Sequence, residues 1–141
     1  MTTPFSLRMD EDTREQLLAR AEKLDISASQ LANRYVKEGL RMDEHPGVIF
    51  VSTPEGRRAV LASRPRIQVL DLIGTWQDQR QDVAETARYF DVSEDDVRAA
   101  VRYYASFKDE LDGAIRQHRE AQANFEQVLA RRRTRARRAT A

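Results

Sequence analysis

The alternating stretch Phe5-Ser6-Leu7-Arg8-Met9, set directly before a long helical pattern, limits what this chain can fold into. Phe5, Leu7 and Met9 alternate with Ser6 and Arg8, the period-two signature of a half-buried strand. A strand must pair its backbone N–H and C=O groups, and a lone ribbon is not stable in water. No second alternating run follows within the next thirty residues. The pairing partner lies either farther along the chain or in a second copy of it.

The residues that follow favour the second copy. Asp10 sits where a helix N-cap belongs, with Glu11 and Asp12 in the first turn opposing the helix dipole. Leu17, Leu18, Ala21 and Leu24 recur at helical spacing, and Asp25-Ile26 breaks the pattern. Ser27-Ala28-Ser29-Gln30 restarts it as a capping box, and Leu31, Tyr35, Val36 and Leu40 carry a second apolar face up to His45-Pro46-Gly47. Strand, helix, turn and helix fill about forty residues, too few to bury a core alone. Antiparallel pairing of FSLRM with its own copy supplies both a strand and a core. The competing reading makes FSLRM an edge strand on a later hairpin, with Arg8 in solvent.

In this arrangement residues 4–41 resemble the ribbon-helix-helix DNA-binding fold. The resemblance implies a homodimer whose two-stranded ribbon enters the major groove of a palindromic operator. Carried over by position, Pro4, Ser6 and Arg8 face the bases while Phe5, Leu7 and Met9 face the helices. Ser27, Ala28 and Ser29, at the start of the second helix, would hold a phosphate with free backbone N–H groups.

The middle of the chain changes character. VIFV and RAVL flank Thr53-Pro54-Glu55-Gly56, so residues 48–61 read as a β-hairpin. After Pro65, residues 67–80 read as a helix with Val69, Leu72, Ile73 and Trp76 on its apolar side, although Gly74 weakens it. Ala87, Val92, Val97 and Ala100 fall where a helix-turn-helix packs its two helices, with Ser93 as cap. Asp91 takes the turn position common for glycine, which Asp tolerates. Glu94, Asp95 and Asp96 crowd the start of the second of these helices and would repel a DNA backbone, which favours a trihelical packing unit. Arg98 and Arg102, one turn apart, keep a second DNA or partner contact open.

Leu111, Ile115, His118, Gln122, Phe125 and Leu129 then follow a coiled-coil-like spacing that His118 and Gln122 interrupt. Such a seam is a poor helix alone and a reasonable one against a partner, so Phe125, Val128 and Leu129 read as a docking element. Arg131, Arg132, Arg133 and Arg135 continue it. A plain terminal helix packed on its own domain is the other reading.

Charge divides along the same lines. Residues 1–43 carry 7 Lys and Arg against 8 Asp and Glu, residues 44–118 carry 10 against 13, and residues 119–141 carry 7 against 2. The basic end reads as a solvated tail or as one that binds something acidic. There is no cysteine, which excludes disulfides and thiolate chemistry and suits a reduced cytoplasm. The apolar runs are far too short to span a membrane, and no signal peptide precedes them. Two histidines, at 45 and 118, make no recognisable metal site, and the five glycines form no phosphate-cradling loop. No enzymatic activity, cofactor or small-molecule substrate is expected.

The hairpin, helix and helix-turn-helix order, with PGVIF and PEGRRAVLA at its head, resembles a small domain of bacterial antitoxins of the VapB kind. The expected fold is mainly α with a short N-terminal strand and one β-hairpin. It divides into a ribbon-helix-helix domain (1–43), a hairpin and helix-turn-helix-like domain (44–117), and a C-terminal helix with an Arg-rich tail (118–141). The two resemblances together imply the antitoxin of a type II toxin–antitoxin pair in the bacterial cytoplasm. It would repress its own operon and block a co-encoded toxin, expected to be a PIN-type ribonuclease. Phe125, Val128, Leu129 and the arginines at 131, 132, 133 and 135 would meet that toxin, pairing with its metal-binding carboxylates. The alternatives are a stand-alone ribbon-helix-helix repressor with a DNA-binding basic tail and an oligomerisation module.

Overall fold

The computed structural model describes residues 2–140 and contains six helices and one two-stranded antiparallel sheet. The chain divides into two compact units, residues 1–44 and 45–141.

In the first unit, residues 2–10 carry no secondary structure, so the expected N-terminal strand does not form in a single copy. The reason is physical: with no neighbouring backbone to pair with, an alternating segment has no ladder to join. Asp10 does cap α1 (Glu11–Leu24), accepting from the Thr13 N–H at 2.8 Å and the Thr13 hydroxyl at 2.9 Å. These bonds hold the Asp10 carboxyl below its ordinary pKa, the backbone donor first. Asp25 ends the helix in the left-handed conformation with φ 54°, after which the Ile26 N–H reaches back to the Ala21 carbonyl. The capping box of α2 (Ala28–Glu44) is complete, with the Gln30 N–H donating to Ser27 Oγ and the Ser27 N–H to Gln30 Oε1. Among the described residues of this unit, Ala21 and Leu31 are the buried apolar ones.

The second unit opens with β1 (Val48–Thr53) and β2 (Gly56–Leu61), paired in register from Val48↔Leu61 to Thr53↔Gly56. The expected helix is shorter than residues 67–80: α3 covers Val69–Asp78. Ile67 and Gln68 are instead drawn to β2, through the Leu61 N–H bonded to the Ile67 carbonyl and a bridge between Val60 and Gln68. α4 (Val83–Phe90) and α5 (Glu94–Ser106) meet at Asp91, which adopts φ 55°. Ser93 caps α5 in a reciprocal box with Asp96. α6 (Lys108–Ala139) is one continuous helix, so no structural break falls between residues 117 and 118.

The core of this unit gathers Val48 and Leu61 of the hairpin, Val69, Leu72, Ile73 and Trp76 of α3, and Ala87 of α4. Leu70 of α3, Val97, Ala100, Tyr103 and Tyr104 of α5, and Leu111 and Ile115 of α6 complete it. A Cβ added to Gly74 would stand 3.7 Å from the Arg119 guanidinium and 3.9 Å from Ile115, ordinary van der Waals contact, so the packing of α6 on α3 does not depend on glycine there. Among the described residues, no helix is long and apolar enough to cross a membrane.

Candidate functional site

Two exposed surfaces, one in each unit, carry the side chains that the sequence marks for recognition. The first is the N-terminal segment with the start of α2. Pro4, Ser6 and Arg8 are exposed, and so are the residues expected to face a core. Phe5 is 86 % exposed and Leu7 66 %, while Met9, Leu18, Tyr35, Val36 and Leu40 are also exposed. An apolar set of this size, distributed over the segment and both helices, is what a folded monomer avoids and an interface uses. At the start of α2, the Ser27 N–H is already spent on Gln30, so an anion would find the N–H groups of Ala28 and Ser29. This narrows the expected phosphate grip from three donors to two.

The second surface is the outer part of α6. Its root is fastened to α3 and α5. Leu111 and Ile115 are buried, Arg119 Nη2 donates to Asp78 Oδ1 at 3.0 Å and to the Gly74 carbonyl at 3.4 Å, and His118 Nε2 lies 3.9 Å from Asp71 Oδ1. Partial burial pushes the Asp71 carboxyl above its ordinary pKa, against the pull of His118 and Arg58. From residue 120 to 140 the side chains are exposed, Leu129 being half-buried. Phe125 is 63 % exposed, and Val128 is exposed beside it. Leu111 and Ile115 pack on their own domain, whereas Phe125 and Val128 are exposed. At about 100° per residue, Phe125, Leu129, Arg132 and Arg133 continue the side of the helix that carries Leu111. Arg131 and Arg135 lie on the opposite half. A shallow groove lined by Asp71, Asp78, Tyr89, Phe90, His118 and Gln122 marks where α6 leaves the body.

The α4–α5 pair offers less. Arg98 is held by Asp95 at 3.0 Å and Glu94 at 3.8 Å, so its charge is answered within its own helix turn. Arg102 is exposed. The three carboxylates at the start of α5 remain the dominant charge there.

One polar network had no sequence signal. Gln77 of α3 donates to the Tyr104 hydroxyl at 3.1 Å, which donates to Asp112 Oδ1 at 2.7 Å, while Lys108 Nζ donates to Asp112 Oδ2 at 2.8 Å. Lys108 and then Tyr104 lower the Asp112 pKa, and the bond to Asp112 raises those of Tyr104 and Lys108. The network ties α3, α5 and the root of α6 together. Lys108 and Asp112 are four residues apart on one helix, but Gln77 and Tyr104 are 27 apart and Tyr104 and Asp112 eight, so only the packed structure joins them. Trp76, buried against Tyr104, keeps an indole N–H without a partner.

Among the described residues, no group of three or more His, Asp or Glu is placed to hold a metal ion. No protein-family model, curated protein or solved structure matches this chain.

Proposed function

We propose that the chain is an antitoxin of the type II kind, which pairs with a second copy through residues 4–9 to bind operator DNA and uses α6 to hold a co-encoded nuclease. The observation that carries the DNA-binding half is the mismatch within residues 1–44. Two well-capped helices follow a strand-patterned segment, yet among the described residues only Ala21 and Leu31 are buried apolar residues while eight larger ones are exposed. A second copy, adding FSLRM antiparallel to FSLRM, completes the ladder and covers that surface. Arg8 and Ser6 then face outward on the ribbon, where a two-stranded element fits the major groove of DNA.

The nuclease-binding half rests on the apolar patch of Phe125, Val128 and Leu129, one turn from Arg132 and Arg133 on the same side of α6. An aromatic anchor beside guanidinium groups suits a groove whose rim is acidic, and a metal-dependent nuclease provides such a rim. Deletion of everything after Ala123 tests this assignment. The shortened chain is expected to keep its preference for operator over unrelated DNA and to lose neutralisation of the nuclease encoded beside it. Phe125→Ala alone is expected to weaken the protein complex by about 2 kcal/mol. Full neutralisation by the shortened chain would remove α6 from the nuclease interface and leave the α4–α5 face as the place to look.

A further inference from the structure

The arginines at the end of α6 are arranged differently from the apolar patch before them. Arg131, Arg132, Arg133, Arg135, Arg137 and Arg138 lie in the last part of a helix that runs to Ala139, and all six side chains are exposed. Successive residues advance by about 100° around the axis. Relative to Leu129, Arg132 and Arg133 fall within about 60° to either side and Arg137 at about 80°, whereas Arg131, Arg135 and Arg138 occupy the opposite half. No sector wider than about 100° lacks a guanidinium group.

A protein groove touches one side of a helix and leaves the other in water. It would use Arg132 and Arg133 and leave Arg131, Arg135 and Arg138 without purpose. The helix dipole accounts for Arg137 and Arg138 in the last turn, but its effect fades within one turn and does not reach Arg131 to Arg133. Arg131 with Arg135 and Arg133 with Arg137 are like-charge pairs four apart, which oppose the helix. No acidic residue follows Glu126 to relieve them.

A ligand that presents negative charge on more than one side of the helix answers more of the ring than a one-sided protein groove does. We infer that the last two turns of α6 bind double-helical DNA, lying in the major groove with phosphates along both walls and without reading bases. The dimensions agree, since a helix about 10–12 Å across with its side chains enters a groove about 12 Å wide. Residues 131–138 span about 12 Å along the axis, roughly two turns, and so the site is compact. This assignment shares only Arg132 and Arg133 with the nuclease reading, because the patch at Phe125, Val128 and Leu129 lies before the ring.

The test is salt-dependent binding of the full chain to a 20-base-pair DNA duplex unrelated to the operator. Each phosphate neutralised contributes about 0.9 to the slope of log affinity against log salt. A chain ending at Ala130 is expected to lose a slope of about 4 to 5 for each α6 engaged, approaching the limit for six contacts per helix. Two triple variants decide whether the ring acts as a ring. R131Q/R135Q/R138Q removes the half opposite the patch and R132Q/R133Q/R137Q the near half, and each is expected to lower the slope by about 2 to 3. An RNA duplex of the same length is expected to bind more weakly, because its major groove is too narrow for a helix. An unchanged slope for the far-side variant, or equal or tighter binding to the RNA duplex, would overturn the assignment. Neutralisation of the nuclease, measured on the same variants, is expected to survive the far-side substitutions. Its loss with an unchanged slope would also overturn the DNA assignment and place the ring on the nuclease.

Discussion

Single residues decide how the first unit meets its ligand. Arg8 precedes the cap by two positions and is exposed, so its removal should leave the fold intact. Arg8→Ala is expected to cost about 1–3 kcal/mol per subunit in operator binding, measured by titration against operator and scrambled duplexes at one salt concentration. The cap itself carries a pH dependence. The Asp10 pKa is lowered from 3.8 in the folded chain, so the stability it contributes is fully present above that value. As pH falls through the lower folded value the carboxylate is protonated, and that contribution disappears. Helix content followed by circular dichroism from pH 6 to pH 2 should therefore show an acid-side loss that Asp10→Asn reduces. Asp112, also lowered, acts in the same direction on the root of α6.

At the scale of elements, close approach matters more than propensity. The hairpin meets α5 where a Cβ added to Gly47 would lie 2.9 Å from the Ala99 Cβ. Gly47→Ala is therefore expected to force β1 away from α5 and to lower the thermal midpoint by several degrees, for a cost of about 1–3 kcal/mol. Ala99→Gly in the same chain should restore part of the loss, because it removes the atom that collides. Caps were legible in the sequence because they are local: Asp10, Ser27, Asp91 and Ser93 each act on neighbours within five residues. The true start of α3 was not legible. Ile67 and Gln68 belong to the apolar period of the helix, but β2 offers their backbone a partner and takes them out of it.

For the whole molecule, the question is how many copies make it. If the exposed surface of the first unit is a dimer interface, folding and association are one event and the apparent stability depends on concentration. Leu7→Asp places a charge in that interface, and residues 1–43 are expected to lose their helical structure while the second unit stays folded. Sedimentation that shows a folded wild-type monomer at micromolar concentration would rule out the ribbon pairing. The second unit needs no partner for its own core, since Leu72, Ile73, Val97 and Ala100 are fully enclosed by elements of the same unit. Local patterns in the sequence determined the first two helices, the hairpin, the caps at Asp10, Ser27 and Ser93 and the turn at Asp91, because those depend on periodicity and on bonds between near neighbours. Only the tertiary structure decided that α6 is one helix with a buried root and an exposed end, and that Gln77, Tyr104, Asp112 and Lys108 lock that root in place. The stripe from Leu111 to Leu129 has a single spacing throughout. Its apolar residues give way to His118 and Gln122 just after Ile115, the last of them to be buried, so the sequence hinted at the end of the core, and packing against the body of the domain decided it.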